Sequence, residues 1–442
     1  MGCTELAGAS PRPPRGFRDF PPDLMILRKR LLSRVESVFQ RYGFDPIDTP
    51  AVEYWETLAG KYGEEAENRL IWRFTDKWSG REYALRYDLT VPMARFVATH
   101  RDIPMPFKRY HIGPVWRHEE PQKGRYREFY QCDADIVGSP HPEADAEIVE
   151  LVIDVIRELG FTSGFKVRLN DRRLLRGIFE DELGLSNAIL PVYRAIDKLD
   201  KIGIDGVRSE LQKIGLQEST VDKIVEIISI QGDPGKLLGE VSKRYGDNHL
   251  VRDAIKYLER IIGLVDSSSV VVDLSLVRGL DYYTGPILEV VLDKPRIGSV
   301  AGGGRYDGLI GIFAGTQIPA TGASIGIERI IDAGLELGLY TLKQKTVTEA
   351  IVIVLDKEVY NYAWKVAKVL RKGGVKTRID LSMSSPGVQR RKAQKLGIRL
   401  LVYVGAKEAE MGTVTIYDSI SRERREVKLG EAGKAAREML SS

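Results

Sequence analysis

Residues 115–135 read Val-Trp-Arg-His-Glu-Glu-Pro-Gln-Lys-Gly-Arg-Tyr-Arg-Glu-Phe-Tyr-Gln-Cys-Asp-Ala-Asp. The run parses as two strands joined by a polar loop at 120–124 that carries Pro and Gly. Side chains alternate on a strand, so Arg117 and Glu119 point one way, and Arg125, Arg127, Phe129, Gln131, Asp133 and Asp135 share one face if no bulge intervenes. An apolar core does not accept such a row. Arginines that can fork onto an anion, a ring that can stack, an amide and carboxylates together suit a large, anionic, partly aromatic ligand.

The same stretch resembles motif 2 of the class II aminoacyl-tRNA synthetases: Arg117-His-Glu119, a variable loop, then Arg125 to Phe129. The other two motifs of that class have counterparts here. Residues 28–42 form a helix-like segment with Leu31, Leu32, Val35, Val38 and Phe39 at helical spacing. Gly43 and an extended run at 44–50 follow, which prolines confine to an edge or interface. This resembles motif 1, which implies a homodimer. Gly-Ala-Ser-Ile-Gly-Ile-Glu-Arg at 322–329 resembles motif 3, with a helix starting near Ile325 and Arg329 in its first turns.

Two further segments narrow the resemblance. Leu-Val-Arg-Gly-Leu-Asp-Tyr-Tyr-Thr-Gly at 276–285 and Ala-Gly-Gly-Gly-Arg-Tyr-Asp-Gly-Leu at 301–309 are similar to two stretches peculiar to histidyl-tRNA synthetases. The likeness runs from about Gly16 to the C-terminus. It implies joining of L-histidine to the 3′ end of tRNA(His) through a histidyl-adenylate, with ATP and Mg²⁺. An imidazole has two ring nitrogens that a selective site must pair, and the resemblance assigns them to Tyr283 and Asp135, with Tyr282 lining the pocket. Gln131 and the glycine strand, Gly303 and Gly304 included, border the substrate. In Leu-Arg-Tyr-Asp-Leu-Thr at 85–90, Asp88 and Thr90 are placed on one strand face as acceptors for the α-ammonium group.

For ATP, the resemblance gives Arg117 the α-phosphate, with Arg278 opposite it as the second catalytic residue. Phe129 stacks on adenine under an Arg329 lid, and Glu119 orients the adenine end. The loop with Gln122, Lys123, Arg125 and Arg127 suits the tRNA acceptor end. Asp at 88 and 135 looks like the archaeal/eukaryotic branch, whereas the Pro121-Gln-Lys-Gly loop looks bacterial, which leaves lineage open.

The elements that must position these groups define an α+β chain. Residues 1–15 read as a disordered lead-in, 16–173 and 266–341 as a class II catalytic domain with an antiparallel sheet flanked by helices, and 174–265 as a mostly helical insertion. After a linker at 342–348, residues 349–442 alternate strand and helix, like the anticodon-binding domain of a class II subgroup. On the basic helix at 386–396, Arg390 and Arg391 are the candidates for tRNA phosphates. A length of 442 residues calls for two or three domains, and a charged fraction of 29% suits a globular protein. The net charge of only +4 leaves nucleic acid contacts to local patches. Two cysteines point to a reducing, cytoplasmic setting, and no apolar run is long enough for a membrane span.

Several look-alikes carry no function. His111-Ile-Gly-Pro lacks the second His of the class I motif, 382–385 lacks its lysines, and 232–236 lacks the spacing of a phosphate loop. His100, His111, His118, His141 and His249 offer no zinc spacing. Two other readings compete with an active histidyl enzyme. A catalytically dead relative, such as the regulatory subunit of a histidine-biosynthetic phosphoribosyltransferase, lacks the C-terminal domain and the intact Arg and Tyr positions. A different class II synthetase, for threonine or proline, fits poorly with the 276–285 segment.

Overall fold

The computed structural model describes residues 11–230, 232–277 and 282–442, without the side chains of 64–66. Arg278 therefore lies outside the described residues, as does most of the expected disordered lead-in. The chain divides into two compact units, one holding Leu31–Leu339 and the other Tyr340–Ser442 with Phe20–Arg30.

Among the described residues the larger unit contains eleven strands: β1 (Asp45–Pro46), β2 (Val52–Tyr54), β3 (Arg73–Thr75), β4 (Glu82–Leu85), β5 (Phe107–Trp116), β6 (Glu128–Val137), β7 (Phe165–Asp171), β8 (Val270–Val272), β9 (Pro286–Leu292), β10 (Ala301–Arg305) and β11 (Ala320–Gly326). Eight form one sheet in the order β1-β5-β6-β11-β10-β9-β7-β8, while β2, β4 and β3 make a small separate sheet. The large sheet is antiparallel except at its margins, where β1 runs parallel to β5 and β8 parallel to β7. The two-residue β1, with Pro46, is an edge strand, where a missing N–H costs no ladder bond. The helix ahead of it is longer than the sequence spacing suggests. It starts at Pro22 rather than 28 and runs to Arg41, since proline is well suited to a first helical turn.

One face of the sheet is apolar. Cys132, Ala134 and Ile136 of β6 are buried there, and helix Pro142–Glu158 packs on this part of the sheet with a stripe that includes Ile148, Val152 and Ile156. The opposite face is polar. Register sets its rows: His111 of β5, Asp133 of β6 and Ser324 of β11 lie side by side, and Arg109, Asp135 and Gly322 form the next row. A Cβ on Gly303 would sit 2.0 Å from the Gly322 carbonyl oxygen, so only glycine lets β10 and β11 pair there.

The described residues of 172–264 are mostly helical, packed on a core that includes Leu175, Phe179, Val207, Ile224, Leu238 and Leu258. In the smaller unit, β12 (Ala350–Val354), β13 (Thr377–Ile379), β14 (Leu400–Val404), β15 (Thr413–Asp418) and β16 (Arg424–Lys428) form a sheet in the order β13-β12-β14-β15-β16. Its first three strands are parallel and the last two antiparallel. Helices Tyr360–Lys372 and Ala432–Ser441 help to close its apolar core. The helix Pro386–Leu396 begins at Pro386 and ends on left-handed Gly397, both favourable terminal residues.

Candidate active site

The polar face of the large sheet floors a cleft that runs from Arg329 to Asp135. Arginines gather at one end. Arg117 donates from Nε to the Tyr87 carbonyl at 3.1 Å, and its guanidinium lies 4.3 Å from the Tyr87 ring centre and 5.2 Å from that of Phe129. Arg329, in the first turn of helix Ile327–Glu336, donates to the carbonyls of Gly124 (2.8 Å) and Ser299 (2.5 Å). Burial and the neighbouring charges of Arg125 and Arg117 lower its pKa, as expected where cations converge before an anion arrives. Arg125 pairs with Glu119 at 3.0 Å, and both line the cleft. Buried Glu328 accepts from the Tyr130 amide at 3.0 Å and fixes the helix start against β6.

The hairpin differs from its sequence reading. Its strands stop at Trp116 and resume at Glu128, so Arg117, Glu119, Arg125 and Arg127 lie in an eleven-residue connection rather than on a pleated face. Strict alternation therefore fails there. Tyr126 lines the cleft, and Arg127 turns away to donate to the carbonyls of Glu119 (2.9 Å) and Arg15 (3.4 Å). Arg127 thus braces the loop from a partly exposed position. The Arg127 amide also donates to the Gly16 carbonyl at 2.9 Å, and Arg15 forms an ion pair with Glu120. At least the end of the supposed disordered lead-in is thus anchored. Gln122 and Lys123 are exposed in this loop, Lys123 pairing with Glu336 at 2.5 Å.

At the other end of the cleft lie carboxylates and tyrosines. Asp135 is 2% exposed. Its Oδ2 is 2.6 Å from an Arg109 terminal nitrogen, and its Oδ1 accepts from the Tyr306 hydroxyl. Burial raises its pKa, and the Arg109 charge opposes that rise. Tyr282, Tyr283 and Tyr306 form an aromatic wall, with Tyr282 ring centres 4.9 Å from Tyr283 and 5.9 Å from Tyr306. Asp88 and Thr90 do line the cleft, but not from a strand. β4 ends at Leu85, and Thr90 opens helix Thr90–Thr99. Asp88 Oδ1 accepts from the Val91 amide (3.0 Å) and from Tyr62 (2.9 Å), so one oxygen anchors the helix start. Its pKa is raised by burial.

Gly303 borders the cleft with Gly302 and Gly322, whereas Gly304 does not, because its missing Cβ makes room for the Pro286 carbonyl. Gly322 has a different role. A Cβ there would lie 2.0 Å from Asp135 Oδ1. We expect Gly322→Ala to push that carboxylate aside and raise the KM of the substrate held at this end of the cleft by about 10-fold or more, since a small misplacement at the substrate is costly. A KM within twofold of wild type would contradict that contact.

Arg109, Tyr62, Tyr126, Ser324 and Tyr306 were not assigned to the site from sequence, and Asp133, placed on the ligand face, was given no role there. The alternation used for the returning strand, carried back along β5, reaches Arg109 and His111. His111 is buried against Asp48 at 2.9 Å, and burial lowers its pKa to about 3, so it is a neutral packing group. In the smaller unit Arg390 and Arg391 are exposed on their helix, while Lys392 is engaged by Asp380 at 3.1 Å.

An antiparallel sheet bearing these arginines over one end of a cleft and buried carboxylates at the other is the catalytic module of a class II aminoacyl-tRNA synthetase. A family model described as histidyl-tRNA synthetase matches residues 16–330, and one for an anticodon-binding domain matches 349–439. The chain is 69% identical to a histidine–tRNA ligase of Aeropyrum pernix, covering 99% of this chain and all of the relative. It is 54% identical to that of Korarchaeum cryptofilum, covering 97% and 99%. A crystal structure of histidyl-tRNA synthetase from Nostoc superposes with a TM-score of 0.83 at 30% identity, covering 98% of this chain and all of that one. The chain belongs to the histidyl-tRNA synthetase family, and its reaction is the family's, the joining of histidine to tRNA.

Proposed function

We propose that the two ends of the cleft divide the substrates of histidine activation between them. The convergence of Arg117, Arg125 and Arg329 on one end and buried carboxylates on the other is the observation that carries this reading. ATP lies at the arginine end. Arg117 takes the α-phosphate, Phe129 and Arg329 hold the adenine between a ring and a guanidinium plane, and Glu119 is the acceptor beside it. Histidine lies at the other end, with its ammonium on Asp88 and Thr90 beside Gln131. Its imidazole lies between Asp135 and Tyr283, walled by Tyr282. Asp135 retains lone pairs beyond those used by Arg109 and Tyr306, so it can accept an imidazole N–H.

In the first step the histidine carboxylate attacks the α-phosphorus and pyrophosphate leaves. The side chains act by placement and charge, which dominate phosphoryl-group chemistry of this kind. In the second step the terminal ribose 3′-hydroxyl of tRNA(His) attacks the adenylate carbonyl and AMP departs. Arg278, by family likeness, is the second catalytic arginine. Among the described residues no three His, Cys, Asp or Glu side chains gather as a metal site. By family likeness, Mg²⁺ arrives with the ATP phosphates. Gln122, Lys123 and Arg125 face the acceptor end of tRNA, Arg390 and Arg391 its phosphates elsewhere, and the helix Pro22–Arg41 with β1 serves a homodimer. No described helix is long and apolar enough to cross a membrane.

Pyrophosphate exchange into ATP with each of the twenty amino acids tests the assignment. We expect exchange with histidine alone, by a margin on the order of 10⁴, because buried polar groups stay unpaired with other side chains. Exchange with none of them, or with another amino acid, overturns it.

A further inference from the structure

Apart from Asp135 Oδ2, which lies in the ion pair with Arg109, three buried oxygen atoms in the histidine end of the cleft have no hydrogen-bond partner among the described residues: Asp88 Oδ2, Gln131 Oε1 and Asp133 Oδ1. All three residues line the cleft, and Asp133 is only 1% exposed. Each of these atoms is an acceptor. Leaving such atoms dry and unpaired is costly, so the set implies a ligand group that brings donors. We propose that Asp133 joins Asp88 and Gln131 in a cradle for the substrate's α-ammonium group, and that it enforces the requirement for a free amino group. The proposal rests on the reading that histidine occupies this end of the cleft.

Stoichiometry favours the ammonium over the imidazole. An –NH₃⁺ group offers three donors and a full charge, whereas a neutral imidazole offers one donor. Two carboxylates and an amide oxygen match the first in both number and sign. The surroundings also hold the two new acceptors in place. Ser324, directly across the β6–β11 ladder from Asp133, donates its hydroxyl to the Asp133 carboxyl. The Ser324 oxygen accepts from Gln131 Nε2 at 2.7 Å, which fixes the amide and leaves Gln131 Oε1 for the cleft. Asp135 is already engaged by Arg109 and Tyr306, so Asp133 is the less committed carboxylate of the pair. Burial pushes the Asp133 carboxyl up to about 8, with the Arg109 charge opposing the rise and the Asp135 and Asp88 charges adding to it.

The test compares two ligands that differ only in the amino group. Histidine is titrated calorimetrically into the full chain. Its desamino analogue, 3-(imidazol-4-yl)propanoate, is measured by competition against histidine. Asp133→Asn keeps the shape and removes the charge. It should weaken histidine binding by about 10- to 100-fold and leave the analogue within twofold. Ser324→Ala, which frees Asp133 without replacing it, should show the same split at about 2- to 5-fold. This second variant keeps the comparison available should Asp133→Asn fold poorly, which its melting curve reports. Equal losses for the two ligands would assign Asp133 to the imidazole or to shape alone, and overturn the proposal. Unchanged histidine affinity in Asp133→Asn, with a clear loss in Asp88→Asn, removes Asp133 from the cradle and spares the underlying reading. Unchanged affinity in both variants overturns that reading as well.

Discussion

Arg117→Ala should lower histidine-dependent pyrophosphate exchange by about 1,000-fold while leaving the melting temperature within a few degrees of wild type. The side chain is half-buried and makes one backbone hydrogen bond, to Tyr87, together with ring contacts to Tyr87 and Phe129. Its removal therefore takes little from the fold. In the proposed placement of ATP it faces charge that develops on the α-phosphate, where a preorganised cation in a partly dry cleft is worth far more than in water. Lysine at this position should recover only part of the rate, because a point charge cannot fork onto two phosphate oxygens. Exchange within tenfold of wild type in the alanine variant would transfer the α-phosphate to another arginine.

Arg109→Leu should act on the fold. Its guanidinium is fully buried beside Asp135 at 2.6 Å, and its charge also offsets the burial of Asp133. Without it, two carboxyl groups remain in a dry environment with no countercharge on β5. Breaking a buried pair from one side costs about 3–5 kcal/mol, which urea unfolding would report as an earlier midpoint. The double variant Arg109→Met, Asp135→Leu should recover most of that stability, since an apolar pair removes both charges together. It should remain unable to bind histidine, which separates the structural role of the pair from its role in recognition. A single variant as stable as wild type would mean that Asp135 is held mainly by Tyr306.

Much of this was legible in the sequence wherever a local rule sufficed. The odd-numbered side chains of β6 share a face because pleating is strict within a strand, and Phe129, Gln131, Asp133 and Asp135 all line the cleft. The same rule misled at both ends of the connecting loop. Arg127 belongs to the reading only if the strand extends to it, and the structure begins β6 one residue later. Asp88 and Thr90 were read as strand neighbours, although Pro92 just beyond them is a helix-start signal. Tyr306 stood in a quoted motif, yet no spacing rule brings residue 306 to residue 135. That meeting depends on β11 pairing with β6 and β10 pairing with β11, a tertiary fact.

The loop between β5 and β6 is tied at several points to the segment just before helix Pro22–Arg41. Arg15 and Gly16 hold Arg127 through backbone carbonyls, Arg15 pairs with Glu120, and Arg18 donates to the Tyr126 hydroxyl at 3.0 Å. None of those N-terminal side chains lines the cleft. Their effect is conformational entropy: a loop already ordered by its own chain does not have to be ordered by ATP or the acceptor end of tRNA. A proteolytic cut between Gly16 and Arg18 would leave every cleft-lining residue in the chain and still weaken the nucleotide, because the cost of stiffening the loop would pass from folding to binding.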